Sequence, residues 1–220
     1  MVKTAILVDG GFYRQRAYSL FGAKTGKERA DELENYCRSH FKDKHEEREL
    51  YRIFYYDCPP ISKKLYHPYL KQQIDFGKSD MFLWMQEYIS ELTHKRKFCL
   101  RMGKLAEEQA HYNIREDITR KLCNGTLSFS NLTEENFKLE VSQKGVDMKI
   151  GIDIASLAYK KQVDQIILIS GDSDFVPAAK LARREGIDFI LDPMRSNIKP
   201  DLYEHIDGIR TKTPRNNNVP

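Results

Sequence analysis

Apolar positions fall along the chain in two rhythms. Short runs rich in β-branched and aromatic residues, "TAILV" (4–8), "LYRIFYY" (50–56), "QIILIS" (165–170) and "IDFIL" (187–191), read as strands, with "KFCLRM" (97–102) a weaker fifth. The first, third and fourth of these are nearly continuous apolar runs, as strands covered on both faces must be, which predicts a parallel sheet. Between them the period lengthens to that of helices, over roughly 12–20, 28–43, 78–94, 106–122, 147–160 and 175–185. Strands alternating with helices of this length predict an α/β domain, wound on both sides of a mainly parallel central sheet of about five strands.

Two regions break the rhythm. After "DCPP" the prolines stop a strand, and the aromatic "KKLYHPYLKQQIDF" reads as a loop and helix that could cover a site, so 57–142 is taken as an insertion or lid. Overlapping its end, 123–145 is a polar loop followed by "FKLEVSQKG", a short strand. The rest of 1–210 is one domain, and 211–220 reads as a flexible tail.

Composition narrows the class without choosing a function. Hydrophobic residues are 40% and charged residues 31%, an ordinary globular balance. No run approaches the roughly 18 apolar residues of a membrane span, and "MVKTAILVDGG" is too short in apolar content for a secretory signal, so a cytoplasmic protein away from membranes is expected. Cys37, Cys58, Cys99 and Cys123 lack zinc-site spacing and read as thiols. The net charge of +4 says less than its distribution: "THKRKFCLRMGK" (93–104) holds Lys95, Arg96, Lys97, Arg101 and Lys104 with no acid. That stretch is either a phosphate-facing patch or a solvated turn between helix and strand.

The chemistry lies in acids at strand ends. An open parallel sheet binds ligands beyond the carboxyl ends of its strands, where the connecting loops gather. "AILVDGG" puts Asp9 there, and "IILISGDSDF" puts Asp172 and Asp174 there. Any one of these could simply cap a helix, as Asp174 could cap the helix that follows it, but one helix start has one N-cap position. In the preceding helix, Ile150, Ile154, Leu157 and Ala158 mark a buried face. Asp153, four residues before Leu157, stands about 40° from it and so on the edge of that face.

Like charges about 4 Å apart repel by roughly 4 kcal/mol at an effective dielectric near 20. Protonation of one carboxylate relieves this. A hard divalent cation relieves it more completely, and all-oxygen ligation without His or Cys favours Mg²⁺ or Mn²⁺ over Zn²⁺. Phosphodiester hydrolysis is the chemistry that follows.

"AILVDGGF", "RIFYYDCPP", "QKGVDMKIGIDIASLAY" and "DQIILISGDSDFVPAAKLARREG" resemble, in order, the NYN domain in the LabA-like branch of the PIN-like nucleases. The resemblance implies a PIN-like three-layer α/β/α sandwich and a metal-dependent endoribonuclease. It implies that Asp9, Asp153, Asp172 and Asp174 are catalytic and hold Mg²⁺ or Mn²⁺, with Asp147 of "KGVD" a further acid. Six residues apart, Asp147 and Asp153 differ by about 120° around a helix, so both address one ligand only if Asp147 lies at or before the helix start. Lys144, Ser170, Lys95, Arg96, Lys97 and Arg101 are the expected contacts to substrate phosphate. RNA is the expected partner, and a homodimer is admissible. Many relatives carry Asn where this chain has Phe12, so the alternative is an RNA-binding or regulatory module that keeps the acidic pocket and cleaves weakly or not at all. Tyr66, Tyr69 and Phe76 either stack on unpaired bases or pack the lid.

Overall fold

The computed structural model describes residues 1–42 and 47–213. The last residues of the expected tail, 214–220, lie outside them. The chain runs β1 (Val2–Asp9), α1 (Gly10–Phe21), α2 (Gly26–Ser39) and β2 (Arg48–Asp57), then two short strands, β3 (Lys64–His67) and β4 (Gln72–Asp75). There follow α3 (Asp80–Thr93), β5 (Phe98–Met102), β6 (Lys104–Leu105), β7 (His111–Ile114), α4 (Glu116–Cys123), β8 (Phe137–Glu140) and β9 (Gln143–Lys144). The last part is α5 (Val146–Tyr159), β10 (Gln165–Ile169), α6 (Val176–Arg184), β11 (Asp188–Asp192), α7 (Pro200–Glu204) and β12 (Gly208–Ile209).

The central sheet has six strands in the order β12-β11-β10-β1-β2-β5. Every pairing in it is parallel. The alternation of side chains explains the layers. In β1, Ala5 and Leu7 face a core completed by Ile150, Ile154 and Leu157 of α5 and Ala179 and Ala182 of α6. Ile6 and Val8 face the other core, made by α1, α2 and α3 with Tyr13, Leu33, Cys37, Met85 and Tyr88. A strand buried on both faces needs apolar residues at every position, and these four are all 0% exposed. The three-layer α/β/α sandwich is thus the expected one, with a sixth strand, β12, of only two residues.

Two helical expectations change. Over 106–122 only α4 is helical, because "HYNI" pairs antiparallel with "FKLE" as β7 and β8. The region after β2 likewise holds the β3–β4 hairpin. These small sheets carry an aromatic cluster in which the His67 ring lies 4.2 Å from that of Tyr112 and 5.7 Å from that of Phe137. Tyr69 packs on Phe137 and Phe76 on Tyr112, while Tyr66 stays exposed. Among the described residues, no helix is long and apolar enough to cross a membrane.

The chain leaves β1 for β2 on one side and returns through α5 to β10 on the other. This is a topological switch point, where loops diverge and open a crevice at the carboxyl edge. Gly10 lets α1 start tightly over that edge: a Cβ there would stand 2.5 Å from the Tyr55 hydroxyl and 2.7 Å from Asp57 Oδ2.

Candidate functional site

Asp9 ends β1 and serves two local purposes. Its Oδ1 accepts the Phe12 N–H (3.1 Å), capping α1, and its Oδ2 accepts the Ser170 hydroxyl (3.2 Å) from the end of the neighbouring β10. Ser170 in turn accepts the Asp172 N–H at 3.3 Å, so the two strand ends are tied together. Asp172 then caps a short 3₁₀ turn, accepting the Asp174 N–H at 3.0 Å. The expected cap and capped acid are exchanged: Asp172 is the cap, and the carboxylate of Asp174 is left to solvent.

Asp147 joins this group from α5. Gly145, at φ 82°, turns the chain so that α5 starts at Val146 and Asp147 falls in its first turn. The Asp9 carboxyl is held above its ordinary pKa, first by burial and then by the charges of Asp147 and Asp57, against the opposing hydrogen bonds from Phe12 and Ser170. Asp147 is also raised, first by local desolvation and then by the charges of Asp172 and Asp174. The chain therefore concentrates negative charge where a cation would relieve it.

Asp153 does not join them. Six residues further along α5, an axial rise of about 9 Å, its carboxylate accepts the Tyr56 hydroxyl and Arg101 Nε, each at 2.9 Å. Arg101 thus carries an ion pair with Asp153 and lies over the Phe54 ring, 5.5 Å away. The structure places this expected ligand in an ion pair, apart from the other acids.

The other basic residues separate by sheet edge. Lys95, Arg96 and Lys97 precede β5 and so sit at the amino edge, away from the carboxylates by the length of the strand. Lys95 is bound to Asp31 (2.6 Å) and Glu34 (3.1 Å), and Lys97 to the Leu50 carbonyl. Lys95→Ala should therefore leave RNA affinity within about twofold of the parent in a filter-binding titration and cost at most about 1 kcal/mol of stability in urea. Lys144 does remain beside Asp147, exposed, with Lys104 opposite it in the β6–β9 pair.

The cleft over the strand ends, about 630 Å³, is lined by Asp9, Phe12, Gln15, Ser170 and Asp172 and by two cations the sequence reading did not single out, Arg16 and Lys199. Arg16 holds the Met194 carbonyl (2.9 Å) and Lys199 the Ser173 hydroxyl (3.1 Å). Neither belongs to a motif, and only the fold brings them there. Phe12 covers the floor: a Cβ on Gly171 would stand 2.9 Å from its Cε2.

Asp57, at the end of β2, is a third strand-end acid and was also missed. Buried at 1% exposure, it accepts Arg14 Nε (2.9 Å) and Nη2 (3.0 Å), the Tyr55 hydroxyl (2.7 Å) and the Cys58 N–H (2.8 Å). With both oxygens engaged, it anchors α1 to the sheet and is no free ligand. The signal was present in "YYDCPP", an acid at a strand end like Asp9.

A family model described as NYN domain matches residues 86–200, just over half of the chain. The matched stretch includes Asp147, Asp153, Asp172 and Asp174, and Asp9 precedes it. Among solved structures, the chain is similar to a protein of unknown function from Vibrio parahaemolyticus, with 15% identity over 96% of this chain and 93% of that one and a TM-score of 0.47. No curated protein matches the chain.

Proposed function

Because the chain belongs to the NYN domain family, within the PIN-like nuclease superfamily, we propose that it is a metal-dependent endoribonuclease. The observation that carries this reading is the charge cluster of Asp9, Asp147, Asp172 and Asp174 at the switch point, with no His or Cys in it. Among the described residues, no three His, Cys, Asp or Glu side chains stand close enough to hold an ion by themselves. That fits Mg²⁺ or Mn²⁺ held by one or two of these carboxylates, with water and substrate phosphate completing the shell. A cation so placed would supply a water of lowered pKa and offset charge on the phosphate. Ser170 and the Phe12 N–H fix the Asp9 carboxylate, Asp172 lines the cleft with Asp174 exposed two residues on, and Arg16 and Lys199 in the cleft, with exposed Lys144 before α5, would draw the RNA backbone toward them. "KGVD" and "SGDSDFVP" support a place in the LabA-like branch.

The same absence of a preformed three-carboxylate cage, together with Phe12 on the cleft floor, favours a second reading, an RNA-binding module that retains the acidic pocket. Incubation with labelled single-stranded RNA, structured RNA and DNA in Mg²⁺, Mn²⁺ or EDTA decides between them. Cleavage of RNA that EDTA abolishes is the expected result. RNA binding without cleavage in either metal favours the module, and cleavage indifferent to EDTA contradicts the metal.

A further inference from the structure

On the far side of α1 from the carboxylate cleft lies a second cavity of about 440 Å³, between α1 and α3. Tyr18, Met81 and Trp84 give it apolar and aromatic walls, and Arg14, Lys24 and Arg29 are its charged lining, Arg14 paired with Asp57 and the other two with Glu32 behind the wall. The size is that of small-ligand sites. Trp84 is held rigidly for a stacking role: its ring is stacked on buried Tyr88 at 5.1 Å and 19°, and its Nε1 donates to the Lys24 carbonyl at 2.8 Å. Tyr18 and Met81, by contrast, are 65% and 64% exposed among the described residues.

The cavity adjoins the carboxylates. Gln15 lines both spaces, and Gly11, at the cavity wall, is so close to Asp9 that a Cβ on it would stand 3.6 Å from Asp9 Oδ1. Arg14, fixed by its two bonds to Asp57, still has N–H groups in excess of those bonds. A ligand that crosses α1 at Gly11 thus meets a cation at its phosphate and aromatic walls beyond.

We propose that this cavity takes one unpaired nucleotide of an RNA strand next to the phosphate that a cation at Asp9 would hold, its base between Tyr18 and Trp84 and its phosphate at Arg14. The proposal rests on the nuclease reading for the identity of the strand. A base stacked between side chains has both faces free of neighbours, so the cavity selects single strands over duplex.

Trp84 is the only tryptophan of the chain, so its fluorescence reports on this cavity directly. Hexaadenylate, AMP and a duplex containing the same sequence are titrated into the full chain in EDTA. Hexaadenylate should quench Trp84 emission saturably, AMP more weakly and the duplex least, and Tyr18→Ala should weaken hexaadenylate binding by about 5- to 150-fold, the range for one lost stacking contact. Tyr18 is exposed, and an unchanged melting temperature shows that its variant is folded. Intact RNA cleavage without quenching by any probe overturns the cavity and leaves the nuclease reading standing. Quenching without cleavage in any metal upholds the cavity and contradicts the nuclease. Quenching by AMP alone, or equally by duplex, overturns its assignment to an unpaired strand.

Discussion

Asp9→Asn raises the stability of the metal-free protein at neutral pH while it lowers RNA cleavage by at least about 100-fold, the cost of removing one charge-stabilising group from a reaction centre. The stability gain follows from the direction of its pKa. Burial holds Asp9 above its ordinary value of 3.8 in the fold, so the folded chain binds the proton more tightly than the unfolded one. Stability then falls as pH rises from 3.8 through the raised value, and above that value the whole penalty is present. Asn carries no such penalty and caps a helix as well as Asp does, so the Phe12 N–H keeps its acceptor. Thermal melts should show the variant above the parent at pH 7 by about 2–4 °C for each kcal/mol relieved, with the difference vanishing below pH 3.8. A variant that melts lower at pH 7 shows that Asp9 is stabilised by its surroundings rather than strained by them.

Asp57→Ala has the opposite sign and the larger structural effect, although Asp57 ends the strand next to that of Asp9. The four donors on its carboxylate would lose their acceptor at once, and Arg14 would keep a half-buried charge without its partner. Breaking a buried pair in this way costs about 3–5 kcal/mol. Urea denaturation should show that loss, and since Arg14 would no longer be fixed beside Gly11, cleavage should fall even where the variant is fully folded. A loss below about 1 kcal/mol would mean that the pair behaves as an exposed one. The contrast between two acids on one sheet edge separates a carboxylate kept for a ligand from one kept for the fold.

The strands of the central sheet were legible because burial on both faces leaves continuous apolar runs that no other element produces at that length. β12 was not, since two residues carry no period, and β7 was not, since "HYNI" becomes a strand only through its partner "FKLE" more than twenty residues away. Within the site, Asp9, Asp172 and Asp174 were legible as acids placed just after apolar strands, but their part in capping was assigned to the wrong member of the pair. Asp147 and Asp153 were not told apart by position, whereas the structure puts Asp147 in the first turn of α5 and Asp153 against Tyr56 and Arg101. Chain direction could have ranked them: a helix packed on a parallel sheet runs back against the strands, so its first turn lies at their carboxyl edge and Asp153, further along, moves away from it. The same direction separates Lys95, Arg96 and Lys97, before β5, from Lys104 after it. Arg16, Lys199 and the cavity beside Trp84 depend on elements distant in sequence, and no local pattern announces them.

The central claim is that a cation at the strand ends is held by one or two carboxylates drawn from Asp9, Asp147, Asp172 and Asp174, and not by Asp153. Mn²⁺ titration followed by the loss of the free-ion signal in electron paramagnetic resonance tests it directly, with Asp147→Asn, Asp172→Asn and Asp153→Asn beside the parent. The account predicts that at least one of the first two variants binds Mn²⁺ at least about tenfold more weakly, since loss of even an outer-shell partner costs about 10- to 100-fold, and that Asp153→Asn binds it as the parent does. Loss of binding in Asp153→Asn with binding retained in Asp147→Asn would contradict the account.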